Sequence, residues 1–321
     1  MLSLISLLIL LLAAILALYI LVLILAHRPA PYSEEEQRYR TYTTALKPAK
    51  DLPRAPELFD PASIELSLVI PCYNEQDRLP PMLDEALPVL IDTFGSSWEI
   101  LIIDDDSQDS TVKIALDWAK QHIIDPEMFR IIHLNKNRGK GGAVIHGMHC
   151  TRGSRAIFAD ADGASKFSDL LKLLKALQDQ GNSGIAIGSR AHLVKSEAVV
   201  KRSWIRNLLM YGLHTLLYVF GIRHIADTQC GFKLFSRDAA QKIFPAMHIE
   251  RWIFDVEILI LAQRLELPAV EVPISWHEVP GSKIDLARDS IQMAADLVLI
   301  RLAYAFGIYR DDAAISIAKR K

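Results

Sequence analysis

Apolar positions are spread unevenly along this chain. Residues 1–26 carry no charged side chain, and the polar ones among them are Ser3, Ser6 and Tyr19. About 20 apolar residues are enough to cross a bilayer as a helix. A cleaved secretory signal would need a basic start, an apolar run of roughly 7–15 residues and a small-residue cleavage site. Here no Lys or Arg precedes the run, and His27, Arg28 and Pro29 follow it directly. Residues 1–26 are therefore expected to be an uncleaved transmembrane anchor. His27, Arg28, Arg38, Arg40, Lys47 and Lys50 lie on its C-terminal side. The positive-inside rule then places the main domain in the cytosol.

Residues 27–65 hold Pro29, Pro31, Pro48, Pro53, Pro56 and Pro61 among charges. This pattern predicts a membrane-proximal linker, with a short helix near residues 34–42. From residue 66 the pattern alternates. Strands are expected over 66–70, 98–103, 129–134, 156–159 and 184–188. Helices are expected over 81–94, 110–122, 141–150 and 168–178, the last opened by a Ser168 and Asp169 cap. Such alternation predicts an α/β fold, a mostly parallel sheet flanked by helices on both faces. Ligands of open sheets of this kind bind beyond the carboxyl ends of the strands. Polar clusters stand at those ends: Tyr73, Asn74 and Glu75; Asp104, Asp105 and Asp106; Asp160 and Asp162.

Two later segments are different. Residues 203–221 are apolar almost all round, with Arg206, Asn207, His214 and Thr215 on a narrow stripe. Residues 289–309 are amphipathic, with Asp289, Gln292 and Asp296 on one face. Each suits an interfacial helix in the headgroup region. Each also suits a buried core helix or an oligomer interface, and the pattern leaves both open. The expected organisation is an anchor (1–26), a linker (27–65), a catalytic domain (66–285, including 203–221) and an amphipathic helix with a basic tail (286–321).

Composition narrows the function classes. The 321 residues carry a formal net charge of −2, without the basic excess of a nucleic-acid binder. With 51% hydrophobic and 23% charged residues, the chain is not disordered as a whole. Cys72, Cys150 and Cys230 are scattered and show no CxxC spacing. That argues against a disulfide framework or a zinc site and fits a reducing compartment.

Asp160 and Asp162 close a buried strand at spacing i, i+2. Both carboxylates can reach one divalent cation there, and oxygen-only ligation suits Mg²⁺ or Mn²⁺. Asp104, Asp105 and Asp106 end an earlier strand. Residues 137–142 combine glycines with Arg138 and Lys140, which suits phosphate contact. Their spacing is not that of a P-loop, and no GxGxxG follows a strand, which argues against a dinucleotide-dependent dehydrogenase.

Residues 68–75, 103–111, 137–142, 160–162 and 188–190 together resemble, in order, the signature segments of the family 2 glycosyltransferases, which have the GT-A fold. The resemblance runs over residues 66–285. Asp106 departs from it, standing where the family more often has Gly. Residues 160–167, 227–233, 254–257 and 276–283 resemble the branch that moves a hexose to dolichyl phosphate. The resemblance implies an inverting, metal-dependent hexosyltransferase of the endoplasmic reticulum membrane that serves N-glycosylation. UDP-glucose is the implied donor and dolichyl phosphate the acceptor. GDP-mannose as donor, a hydroxyl acceptor, or a catalytically inactive nucleotide-binding scaffold are the alternatives.

The resemblance also assigns residues. Pro71, Tyr73, Glu75 and Asp105 would line the nucleobase and ribose, with Asp104 nearby and Lys140 toward the donor phosphates. Asp160 and Asp162 would hold the metal and diphosphate, Asp162 being catalytic. Arg190 and Arg202 would hold the acceptor phosphate, with Arg206 as a helper. Lys283 would close over the donor from a loop containing Gly281 and Ser282. A phosphate monoester is mostly ionised at neutral pH, its second pKa being about 6. It therefore needs no general base, and the roles of Asp227 and Asp255 stay open.

Overall fold

The computed structural model describes residues 4–193, 225–280 and 286–311. Helix α1 (Leu4–Leu25) is followed by β1 (Ile64–Cys72), α2 (Leu79–Phe94), β2 (Trp98–Asp104), α3 (Thr111–His122), β3 (Phe129–His133), α4 (Lys140–His149), β4 (Gly153–Ala159), α5 (Leu170–Asp179) and β5 (Ile185–Ser189). Then come β6 (Phe232–Ser236), α6 (Arg237–Ile243), α7 (Phe254–Arg264), β7 (Ala269–Pro273) and α8 (Leu286–Ala305).

The sheet order is β3-β2-β1-β4-β6-β5-β7. β1, β2, β3 and β4 pair in parallel, as do β5 and β7, while β6 runs antiparallel between β4 and β5. Alternate residues feed two cores. Leu68, Ile70, Ile100 and Ile102 pack on one face with α2, α3 and α5, and Val69, Leu101 and Ile103 on the other with α4, α6 and α7. Strands buried on both faces are near-continuous apolar runs, which is why β1 and β2 stand out in the sequence.

Some elements differ from the sequence expectation. Residues 34–42 form turns and bridges, not a helix. The segment expected as a membrane-proximal linker folds onto the domain. Arg40 bridges Ile131 of β3 through N–H···O bonds of 2.7 and 2.8 Å, and Tyr39, Leu52, Ala55 and Leu58 are buried. This cover shields the free edge of β3 from pairing with another chain. Residues 167–169 make a 3-10 turn before α5, and Ser168 and Asp169 supply no side-chain cap. Asp169 instead accepts the Ser275 N–H and pairs with Lys172 at 2.7 Å.

α1 has 22 residues, an 18-residue stretch of which has mean hydropathy 3.4, and among the described residues it alone is long and apolar enough to cross a membrane. α8 buries Met293, Leu297, Ile300 and Tyr304 in the core and leaves Ile291 and Val298 exposed. Just beyond α8, Phe306 meets Tyr19 of α1 edge-on, with ring centroids 5.7 Å apart. Tyr309 stacks on His248 at 3.7 Å and donates to the His27 carbonyl at 3.1 Å. The end of α1 is thus fastened to the α/β domain. The helix expected over 203–221 lies outside the described residues.

Candidate active site

The carboxyl ends of β1, β2 and β4 meet at one edge of the sheet, and each runs into a polar turn. After β1, Asn74 takes a φ of 53°, which Asn tolerates better than most residues. Its amide donates to Ser107 Oγ at 2.9 Å, and its side chain accepts from Gln108 N at 2.7 Å. The turn after β1 is thereby tied to the turn after β2. Glu75 is buried and takes a two-pronged contact from Arg78, at 2.8 and 2.7 Å. Pro71, next to the last residue of the strand, is half-buried, and Tyr73 stands at the rim, 37% exposed.

The three acids after β2 take different places. Asp104 is buried, with Oδ2 2.6 Å from His133 Nδ1. Asp105 is also buried, and its carboxylate accepts the N–H groups of Arg138 at 2.7 Å and Gly139 at 2.9 Å. Burial pushes the Asp105 carboxyl up to about 7, against those two bonds, which pull it down. Asp106 has a φ of 62°, a conformation that suits the Gly more common there in the resembled family. Asp105 therefore fixes the entry to α4. Gly139 enters that helix at a φ of 84°, and a Cβ there would stand 2.8 Å from the Glu250 carbonyl oxygen. Arg138 turns to the N-terminal segment, reaching the carbonyls of Ala30 at 2.6 Å and Pro31 at 3.1 Å.

Lys140 opens α4 and reaches Asp160 Oδ1 at 2.6 Å. Burial would lower the Lys140 ammonium, but Asp160 and Asp255 outweigh it and hold the group above its ordinary value. Asp162 is half-buried and accepts the Ala164 N–H at 3.0 Å. Among the described residues no three His, Cys, Asp or Glu side chains gather as a metal site. A hard cation held by Asp160 and Asp162 would thus complete its shell with ligand oxygens. That fits Mg²⁺-type ions, which commonly combine one or two carboxylates with substrate phosphates.

Gly231 leaves room for this arrangement. A Cβ there would collide with the Asp160 carboxylate. Gly231→Ala should shift that carboxylate and cut turnover about 100-fold, the scale of a 1 Å misplacement. Steady-state kinetics on folded variant protein check this.

Behind Asp160, the buried Lys233 Nζ pairs with buried Asp255 and donates to the Cys230 carbonyl at 2.6 Å. Arg190 follows β5. Its N and Nε donate to Asp227 Oδ2 at 2.8 and 2.7 Å, and its Nη2 to Oδ1 at 2.8 Å. Burial would raise the Asp227 carboxyl, but the bonds from Arg190 outweigh it and hold it below the usual range. The Arg190 guanidinium lies 5.6 Å from the Trp276 ring centroid. Trp276 bridges Ser165, and His277 N donates to the Ala164 carbonyl at 2.9 Å, which braces the loop after Asp162.

The structure thus brings Pro71, Tyr73, Glu75, Asp104, Asp105, Lys140, Asp160, Asp162 and Arg190 to strand ends or the turns after them. Arg202, Arg206, Gly281, Ser282 and Lys283 lie outside the described residues. His133, Lys233 and Trp276 gain partners that no local pattern signalled.

The glycosyl transferase family 2 profile matches residues 67–244. The chain belongs to glycosyl transferase family 2. Within the family it is 52% identical over 314 residues to the dolichyl-phosphate beta-glucosyltransferase of Saccharomyces cerevisiae, covering 94% of each chain. It is 42% identical over 290 residues to the Homo sapiens protein of the same name, covering 88% of this chain and 87% of the other. Among solved structures it is similar to glucosyl-3-phosphoglycerate synthase from Mycobacterium tuberculosis in complex with UDP. That likeness has a TM-score of 0.54 at 17% identity, over 74% of this chain and 80% of the other. The complex of that synthase with Mn²⁺ and UDP-glucose gives a TM-score of 0.51 at 16% identity, over 74% and 79%. At this identity the likeness is of fold, and it makes the architecture GT-A-like.

Proposed function

We propose that this protein is a dolichyl-phosphate β-glucosyltransferase. It transfers glucose from UDP-glucose to dolichyl phosphate, giving dolichyl β-D-glucosyl phosphate and UDP. The observation that carries this reading is the 52% identity over 94% of both chains to a yeast relative of that name.

The site residues fit the chemistry. An acceptor phosphate oxygen attacks the anomeric carbon from the face opposite the diphosphate. The new C–O bond forms as the bond to the β-phosphate oxygen breaks, so configuration inverts. The ionised phosphate has no proton to lose, so the task is positioning. Arg190 suits it. A guanidinium has five N–H donors in a rigid fork, and Asp227 fixes the orientation by engaging Nε and Nη2. The N–H groups left over would meet the acceptor phosphate with their direction already set. Asp227 is then a positioning residue, not a base, because Arg190 occupies both of its oxygens. Arg202, with Arg206 as helper, completes the acceptor-phosphate clamp, and Lys283 closes over the donor.

Asp160 and Asp162 would hold Mg²⁺ or Mn²⁺ with the donor diphosphate, and Lys140 would add a fixed positive charge beside it. The cation, when bound, stabilises negative charge on the departing diphosphate. The anchor explains how a water-facing site meets a lipid substrate: the acceptor phosphate stays at the headgroup plane. The enzyme is a single-pass protein of the endoplasmic reticulum membrane with its catalytic domain in the cytosol, supplying glucose for lipid-linked oligosaccharides.

A donor panel tests the reading. Membranes bearing the protein receive dolichyl phosphate with UDP-glucose, GDP-mannose or UDP-N-acetylglucosamine, and the lipid product is identified. Glucosyl lipid from UDP-glucose is the expected result. Mannosyl lipid from GDP-mannose overturns the donor assignment.

A further inference from the structure

The end of α1 carries more apolar surface than the domain covers. Val22 is 2% exposed, but Leu21, Ile24 and Leu25 around it are 51%, 73% and 56% exposed. If α1 spans a bilayer, lipid must cover those side chains, so the edge of the hydrocarbon lies beyond Leu25. Whatever packs on α1 before Leu25 then lies at or below that edge.

The end of α8 and the turn after it pack there. Phe306 meets Tyr19 with ring centroids 5.7 Å apart, and Val22 lies in the core cluster on which Leu302, Phe306 and Ile308 pack. Tyr19 stands one and a half turns before Leu25, about 9 Å along the helix axis. Residues 302–309 carry no charge and are bracketed by Arg301 and Arg310. Ala305 and Gly307 are exposed, and Leu302, Phe306 and Ile308 are half-buried. The Phe306 N–H donates to the Leu302 carbonyl at 2.9 Å and the Gly307 N–H to that of Tyr304 at 3.2 Å. The N–H groups of Ile308 and Tyr309 donate to the Ala303 carbonyl at 2.8 and 3.1 Å. A segment in hydrocarbon has to satisfy its backbone polar groups internally, and this turn does so for its N–H groups.

We propose that residues 302–308 form a second membrane contact, which dips into the leaflet beside α1 without crossing it. This rests on the reading of α1 as a transmembrane anchor. The partner is the lipid bilayer, with acyl chains against Ala305, Phe306, Gly307 and Ile308. Exposed Arg28 and Arg310 follow the two apolar runs, and such side chains keep their stems on apolar surface while the charged head reaches the headgroups. A single spanning helix leaves a domain free to turn about the helix axis. A second lipid contact beside it removes that freedom and holds the strand-end site at one tilt over the headgroup plane.

The test places single thiols in the full-length protein, held in phosphatidylcholine nanodiscs. Cys72, Cys150 and Cys230 are buried, so a polarity-sensitive fluorophore goes to the introduced residue. Ala305→Cys reports on the proposed contact and Leu11→Cys on the anchor. Lys120→Cys reports on water-facing surface, because Lys120 is exposed on α3, which packs on the opposite core. The probe at 305 should show blue-shifted emission and lose intensity when the lipids carry nitroxide on their acyl chains, as the probe at 11 does. The probe at 120 should be quenched only by iodide in the water. A probe at 305 that behaves like the one at 120 overturns the proposal. Shielding at 305 from both quenchers also overturns it, and marks an interface between copies of the chain instead. A probe at 11 that nitroxide lipid does not quench overturns the anchor reading, and the proposal with it. None of these readouts depends on which sugar is transferred, so a failed donor assignment leaves the test standing.

Discussion

Asp162→Asn is expected to abolish glucosyl transfer while leaving the protein folded. The two halves of this expectation have separate causes. Asp162 accepts one bond in the structure, from the Ala164 N–H at 3.0 Å. An Asn side-chain carbonyl can accept the same bond, so the turn after β4 keeps its geometry. The residue is half-buried at a strand end, and a change there that removes no packing should stay within about 1 kcal/mol in stability. Activity is another matter. Replacing the carboxylate removes one of the two negative charges of the proposed cation site. Stabilisation of departing charge by a bound metal is worth several kcal/mol, and each 1.36 kcal/mol is a tenfold change in rate, so turnover should fall by roughly 1,000-fold or more. The effect should appear in kcat, because the lost interaction is strongest as the diphosphate leaves. Single-turnover rates with UDP-glucose and dolichyl phosphate, beside a thermal melt, give both halves. Near-wild-type turnover would remove Asp162 from the site. Asp160→Asn is the less clean variant, because Asp160 also pairs with Lys140 at 2.6 Å.

Much of this site can be read from residues alone, because the first half of the domain obeys a simple rule. β1, β2, β3 and β4 are short apolar runs, and the polar clusters fall where each run stops. The second half hides its plan. β6 carries Lys233 as its second residue, and a charged residue there reads as an exposed position until Asp255 and the Cys230 carbonyl are known to meet it. β7 is short, ends in Pro273 and is mostly exposed or half-buried, so its composition is that of a loop. The proline-rich segment before β1 has no periodicity, yet Arg40 and Tyr39 dock it on the domain through pairings distant in sequence. The Arg190–Asp227 contact spans 37 residues, and the Asp104–His133 contact joins neighbouring strands. Neither leaves a trace in local spacing. Residue types were legible; partners were set by topology.

The buried pair behind the site should be the most sensitive point for stability. Lys233 and Asp255 are both enclosed, and the Lys233 ammonium also lies 5.4 Å from the Phe158 ring centroid. Breaking a buried ion pair from one side costs about 3–5 kcal/mol, because the remaining carboxylate loses its bonded partner and keeps only the through-space pull of Lys140. Lys233→Met should therefore lower the melting temperature by roughly 10 °C. The loss should depend on pH in a definite direction. Burial already raises the Asp255 carboxyl above its ordinary value, and Lys233 opposes that rise. Without Lys233 the carboxyl rises further, so the folded state holds a proton that the unfolded state releases. Stability then falls as pH increases from the unfolded carboxyl range through the raised folded value. The variant should be least impaired near pH 5 and most impaired near pH 8, about the ends of the range in which such buried acids titrate. Replacing both partners, as Lys233→Met with Asp255→Leu, removes the unanswered charge. Apolar replacement of a whole buried pair is often neutral or stabilising, so the double variant should melt well above Lys233→Met and lose the pH dependence. Melts of both variants across that range decide the matter. A double variant as unstable as the single one would mean that packing, not the unpaired charge, sets the cost.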